Sequence, residues 1–297
     1  MKYLSTAEIA VKWNISKRSV RDYCNKGRVI GAILKGKTWQ IPEDALMPKR
    51  QTRTTNKTRK LLDVLKEEKG SKLSGGIYHK LQIEMTYNTN HIEGSKLNHE
   101  QTRHIFETKT ISAHDESLKI DDIIECVNHF RCIDLAIESA KTKLSESLIK
   151  QFHYILKFNT SDQNKPWFKI GDYKLLPNEV GGSDTCSPNQ VKEKIIALLK
   201  KYNSLIEVTI EDIIDFHYEF EKIHPFQDGN GRVGRLIVLK ECLKHNIVPF
   251  IITDNIKDFY YRGLKEYPRN KGYLIDTCLY GQDIVKSYLD YFKIEYK

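Results

Sequence analysis

Pro225 constrains the fold of this chain more than any other residue, because it divides one long helical pattern into two. Upstream, Ile210, Ile213, Ile214, His217, Phe220 and Ile223 recur at spacings of three and four, which predicts a helix buried along one face. Proline disfavours helical geometry in the residue before it, so that helix must end at His224. Downstream, Leu236, Ile237, Leu239, Lys240 and Leu243 resume the helical pattern, with Gly229, Asn230 and Gly231 forming the turn that feeds it. Two helices joined by a short glycine-bearing turn are therefore expected here. The second of them presents its unpaired backbone N–H groups, and the positive end of its dipole, to whatever lies before it.

Residues 224–235 read His-Pro-Phe-Gln-Asp-Gly-Asn-Gly-Arg-Val-Gly-Arg. Each residue has a task around a nucleoside triphosphate. A neutral His224 takes a proton from an attacking hydroxyl. Asp228 offers a hard oxygen to Mg²⁺, which keeps waters and shares phosphate oxygens. Gly229 and Gly231 let the backbone approach phosphate, and Asn230 adds side-chain donors. Arg232 and Arg235 lie three apart on the first turn of the helix, so both can aim at phosphates from one side. Taken singly, these residues suit an ordinary helix end and a solvated basic face equally well. Taken as one string they do not, since a turn has no need of His, Asp, Asn and two Arg in fixed order.

The string resembles the motif of the Fic proteins, His-Pro-Phe-x-(Asp/Glu)-Gly-Asn-Gly-Arg-x-x-Arg, and every fixed position is met. The resemblance implies an all-helical Fic-type core with a small β-hairpin flap. It also implies transfer of AMP from ATP to a Ser, Thr or Tyr hydroxyl of a target protein, which could be the chain itself. By that analogy His224 is the base and Asp228 the Mg²⁺ ligand. Gly229, Asn230, Gly231 and Arg232 form the phosphate cradle, and Arg235 meets the γ-phosphate. Upstream, Thr89, Glu93 and Gly94 resemble the family's inhibitory helix pattern, placing that helix near residues 85–94. A Glu93 carboxylate paired with Arg235 would occupy the group that holds the γ-phosphate. The stretch from Gly171 to Pro188 resembles the flap along which target segments lie, with Val180 and Gly181 near the nucleotide and Lys174 where the family usually has Arg. Tyr260 lies where the family sets a tyrosine against the nucleotide, although a core role beside Phe259 suits it equally.

Charge separates a second module from this core. Residues 1–60 hold fifteen Lys or Arg against four acidic residues, a net +11, while the whole chain is +9, so residues 61–297 stand at −2. Basicity confined to one end is a domain signal. Ser5 with Glu8 predicts a capped helix over residues 6–13, and Ser16 a second over residues 17–25, ended by Gly27. Residues 30–41 read as a β-hairpin wing. The arrangement resembles winged helix-turn-helix domains of the MerR and excisionase type, which implies DNA binding through Lys17, Arg18 and Arg21 on the second helix. A basic protein-contact module is the alternative. Residues 1–47 form this domain, residues 48–60 a basic linker able to add phosphate contacts, and residues 61–297 the catalytic domain.

Six cysteines without C-x-x-C or zinc spacing read as thiols in a reducing cytoplasm. No apolar run approaches eighteen residues, so no spanning helix, signal peptide or membrane partner is expected. Further helices are predicted from Asn98 and Gln101 onward and over residues 120–140, 145–158 and 191–206. His129, His153 and His217 lie on their apolar stripes as core histidines. Three readings of function stand: a self-inhibited AMP transferase with a DNA-binding module, a hydrolase removing AMP from a modified protein with the same site, and a DNA-binding regulator that senses nucleotide. Homodimerisation stays open in all three.

Overall fold

The structure, a computed structural model, describes residues 2–36, 38–48, 60–111 and 117–296, with the backbone alone at Ser183 and Asp184. Most of the linker read at residues 48–60 lies outside the described residues. The chain divides into two compact units, residues 1–57 and 58–297.

In the first unit, β1 (Tyr3–Ser5) leads into α1 (Thr6–Lys12), followed by α2 (Lys17–Asn25), β2 (Ile33–Lys35) and β3 (Thr38–Pro42). Ser5 and Glu8 form a reciprocal capping box that fixes the start of α1. Gly27, at φ +64°, follows the end of α2. The strands make an antiparallel sheet in the order β1-β3-β2, with Leu4 opposite Ile41 and Leu34 opposite Trp39. Ile9, Ala10, Val20, Cys24, Val29 and Ile41 form its small core. Lys17, Arg18 and Arg21 all stay exposed on α2.

The second unit is helical. It contains α3 (Leu61–Ser71), α4 (Ile77–Ile92), α5 (His99–Thr108), α6 (Ile120–Glu138) and α7 (Glu146–Lys157). A hairpin of β4 (Glu179–Val180) and β5 (Ser183–Asp184) comes next, then α8 (Pro188–Tyr202), α9 (Ile210–Ile223), α10 (Asn230–His245), α11 (Lys257–Glu266) and α12 (Gly272–Tyr291). Nearly every residue of α10 from Arg232 to Leu243 is buried, the pattern of a helix surrounded by others. It packs on α9, α6 and α7 and so forms the axis of the domain. Asn98 and Gln101 box the start of α5 as expected. The helix expected over residues 191–206 lies earlier. Pro188 takes the first turn, where its missing N–H costs nothing, and the helix stops at Tyr202, leaving Ile206 99% exposed. All six cysteines are free and buried. Among the described residues, no helix is long and apolar enough to cross a membrane.

Candidate functional site

Helix α9 ends at Ile223, and His224 takes the left-handed conformation at φ +51°, ψ +62°. That geometry costs a residue with a side chain about 1 kcal/mol, so the surroundings must hold it. They do so through the root of the hairpin. The Lys174 backbone N–H donates to the Pro225 carbonyl at 2.9 Å, and Asn178 Nδ2 donates to the Phe226 carbonyl at 3.1 Å. Lys174 itself is buried, and its ammonium reaches Asn178 Oδ1 at 2.7 Å and Thr185 Oγ1 at 2.6 Å, so it closes both ends of the flap. Gly181 and Gly182, at φ +57° and +75°, make the tight hairpin turn.

His224 Nδ1 donates to the Glu221 carbonyl at 3.3 Å, which leaves Nε2 as the basic nitrogen. Burial, helped by the Lys174 charge, pulls its pKa down to about 4, so the imidazole is neutral at pH 7. Burial likewise pushes the Glu221 carboxyl up to about 8. Gly229 starts α10 from φ +80°. In a helix the first N–H groups have no partner within it, and those of Asn230, Gly231 and Arg232 occupy that place here.

The geometry corrects the expected role of Asn230. Its side chain is 1% exposed and turned inward, with Oδ1 accepting from the Phe226 N–H at 2.8 Å and Nδ2 donating to the Phe226 carbonyl at 2.9 Å. Its amide therefore folds the loop, and the donors left for an anion are backbone ones. A second correction concerns the two arginines, which do not share a target. Arg232 is bound to Glu125 and, at 3.3 Å, to Asp228. Arg235 donates from Nε to Thr89 Oγ1 at 2.7 Å and from Nη2 to Glu93 Oε1 at 2.5 Å. The Glu93 carboxylate holds Arg235 above the usual guanidinium range although burial opposes the charge.

Glu93 is the residue that caps α4, and Gly94 follows at φ +96°. Its carboxylate also lies against the turn, since a methyl group at Gly231 would stand 2.3 Å from Glu93 Oε1. Tyr261 ties the same helix end, donating to the Ile92 carbonyl at 3.1 Å. Glu93, Val180, Gly181, His224, Gly231, Arg235, Tyr260 and Tyr261 all line one cavity of about 840 Å³. Tyr260 is 1% exposed, with its hydroxyl 2.7 Å from His217 Nε2, so it is part of the core and of the cavity wall together. Asp228, Asn230 and Arg232 are not among the walls.

Asp228 belongs to a neighbouring cluster. Lys157, at the end of α7, reaches Glu125 Oε1 at 2.5 Å, Asp162 Oδ2 at 2.7 Å and Asp228 Oδ2 at 2.5 Å. Burial opposes the Asp228 charge, but Arg232 and Lys157 outweigh it and hold the carboxyl well below its usual range. Three of these residues, Lys157, Glu125 and Asp162, carry no local sequence signal. His129, His153 and His217 are buried as expected, and burial lowers each to about 3.

Residues 143–241, the segment that carries His224, Gly231 and Arg235, match the model of the Fic/DOC family. The chain is 27% identical over 187 residues, 60% of its length, to protein adenylyltransferase fic-1 of Caenorhabditis elegans. It is equally identical over 190 residues, 61% of its length, to protein adenylyltransferase Fic of Nematostella vectensis. The chain spans less than half of those curated relatives, 35% and 42% of their lengths. Among solved structures, a Fic domain containing signaling protein from Bacteroides thetaiotaomicron superposes with a TM-score of 0.61 at 24% identity, covering 77% of this chain and 94% of that one. Fic-1 from Caenorhabditis elegans superposes with a TM-score of 0.59 at 20% identity, covering 77% and 69%. These superpositions extend the shared fold beyond the matched segment.

Proposed function

We propose that the protein is a self-inhibited adenylyltransferase that moves AMP from ATP to a hydroxyl side chain of a protein. One observation carries the reading: a neutral, half-buried histidine, Gly231 on the first turn of α10 and Arg235 converge on a single cavity, and Glu93 lies across the last two. In this reading the triphosphate rests on the first-turn amides of α10, with Arg235 meeting its terminal phosphate. The target hydroxyl attacks the α-phosphorus, His224 Nε2 takes its proton, and pyrophosphate leaves. Val180 and Gly181 on the hairpin edge border the acceptor side, and the two adenylyltransferase relatives support the reaction class.

Mg²⁺ fits the residues present, because Asp228 keeps 52% of its side chain exposed and offers the hard oxygen such an ion prefers. Bound there with the nucleotide, the ion would neutralise charge on the leaving pyrophosphate. Inhibition follows from competition, since the Glu93 carboxylate fills the place on Arg235 that the γ-phosphate needs.

The test is transfer of label from α-labelled ATP with Mg²⁺. His224→Ala should abolish labelling while nucleotide still binds, and Glu93→Gly should raise labelling at least tenfold, about 1.4 kcal/mol of released competition. A Glu93→Gly protein that folds, binds ATP and transfers no faster than the parent would sink the inhibitory reading. Labelling that survives His224→Ala would sink the base.

For the first unit we propose a winged helix-turn-helix that binds DNA. The support is the exposure of Lys17, Arg18 and Arg21 together on α2 beside a hairpin. Duplex binding by the full chain should weaken steeply with salt, and replacing all three by Ala should reduce both affinity and the salt slope. Binding that is absent at low salt would leave a protein-contact module.

A further inference from the structure

Lys157 occupies an unusual place for a lysine. It is 2% exposed, and its ammonium touches three carboxylates from three separate elements. Glu125 lies on α6, Asp162 follows α7 in a short 3-10 turn, and Asp228 sits in the loop before α10. Oxygens of these three carboxylates all lie within 4.8 Å of one another, a spacing at which a hard cation could be gripped by all three. The tethered ammonium already fills that position. Asn128 fixes where it stands, because Nδ2 donates to the carbonyls of Leu156 and Phe158 at 3.1 and 2.7 Å and so locks the chain on either side of Lys157. Arg232 adds a second positive charge on Glu125 and Asp228.

We infer that Lys157 is a built-in cation that keeps a divalent ion out of the Glu125, Asp162 and Asp228 cluster, so that the metal at Asp228 enters only together with the nucleotide. The inference rests on the adenylyltransferase reading for the identity of that nucleotide. Its physical basis is local charge together with a position already filled. The three carboxylates meet three cations, Lys157, Arg232 and the Lys165 ammonium 2.5 Å from Asp162 Oδ1, so no net negative charge draws a bare divalent ion in, and the Lys157 ammonium stands where that ion would sit. The exposed side of Asp228 alone is one carboxylate ligand, which normally needs phosphate oxygens to complete a Mg²⁺ shell. Lys157 would thus couple metal binding to nucleotide binding and prevent a metal-only state in which Asp228 is drawn inward, away from the nucleotide. It is a positioning residue, acting through Asp228.

The experiment titrates Mn²⁺ as the probe, by its electron paramagnetic resonance signal, into the full-length protein with and without a non-hydrolysable ATP analogue. The parent should take up Mn²⁺ only when the analogue is present. Lys157→Met should acquire a nucleotide-independent site at least tenfold tighter than any in the parent, and Mn²⁺ alone should raise its melting temperature. Because Lys157→Met leaves three acids unpaired, a second variant, Lys157→Met with Asp162→Asn, restores the parental cluster charge. It should fold and, with the ammonium's position vacated at unchanged charge, still gain a nucleotide-free site weaker than that of Lys157→Met. If neither variant binds Mn²⁺ better than the parent without nucleotide, or if the parent binds it freely, the inference is overturned and the transfer reading is untouched. If the variants gain the site but the parent binds analogue with no dependence on Mn²⁺, Lys157 keeps its role and the metal in the transfer reading fails.

Discussion

Arg232 and Arg235 stand one turn apart on α10, both nearly buried and both bound to a carboxylate, yet their surroundings differ in a way that separates architecture from control. Arg232 sits in a closed network with Glu125, Asp228 and Lys157, where each charge is compensated by at least two others. Arg235 has one carboxylate partner, Glu93, whose side chain is 27% exposed at the wall of the cavity. Breaking the first pair leaves Glu125, 13% exposed, sharing the Lys157 ammonium with Asp162 and Asp228. Breaking the second opens Arg235 to a space that water or phosphate can fill. The same guanidinium chemistry therefore gives a fixed joint in one place and a releasable latch in the other, and the difference lies in what stands behind the carboxylate.

The largest expected effect tests the joint. Arg232→Met should destabilise the helical domain by about 3–5 kcal/mol, the usual cost of removing one partner from a buried ion-pair network. Glu93→Gly should cost only about 1 kcal/mol, because the cavity solvates the freed group. Urea denaturation of both variants checks the contrast, and equal losses would erase the distinction between joint and latch.

The latch itself is tested by a double change. If Glu93 acts through Arg235, the gain of about tenfold expected for Glu93→Gly should largely vanish when Arg235→Ala is added, since the freed partner is missing. Transfer that stays high in the double variant would mean that Glu93 inhibits through Gly231 or the cavity volume instead.

Acidity should separate the site from the core. His224 is lowered to about 4, so Glu93→Gly protein should keep its transfer rate as pH falls through 6.5 and lose it only below about 5. Removing Glu93 also removes one charge that raises the His224 pKa, which moves the limb further down. The buried histidines behave differently. His129, His153 and His217 are held near 3 in the fold against about 6.5 in the unfolded chain, so the unfolded state binds more protons between those values. Their contribution to stability is present above pH 6.5 and is lost progressively as pH falls toward 3. A rate profile with its acid limb near 6.5 would show that His224 is not desolvated in the working site.

What the sequence made legible follows from locality. The string of residues 224–235 is contiguous, so the proline break, the turn and the helix start could be read together, and the boxes at Ser5 and Asn98 are rules spanning three residues. The Glu93 and Arg235 pair was reachable only through resemblance, because its members lie 142 positions apart. Lys157 and Glu125 had no such aid. One lysine at the end of an amphipathic helix and one glutamate on another read as solvated charges, and only the crossing of α6, α7 and α10 brings them together. Asn230 failed for the opposite reason. It opens α10, and whether its amide points at a ligand or back at Phe226 is decided by the packing of the loop.

The smallest expected effect concerns what holds the latch shut. Tyr261 donates to the Ile92 carbonyl, the last residue of α4, and so steadies the helix end from which Glu93 projects. A hydrogen bond of this kind contributes about 1 kcal/mol. Tyr261→Phe should remove it with little change in the ring's packing. In the parent background the latch should then open more often, and transfer should rise by up to about fivefold, less than for Glu93→Gly because the carboxylate is still present. In the Glu93→Gly background the same change should have no effect, since the helix end it steadies no longer carries the inhibitor. Labelling assays on the four proteins decide the matter. A Tyr261→Phe change that alters transfer equally in both backgrounds would place the phenol against the substrates rather than on the latch.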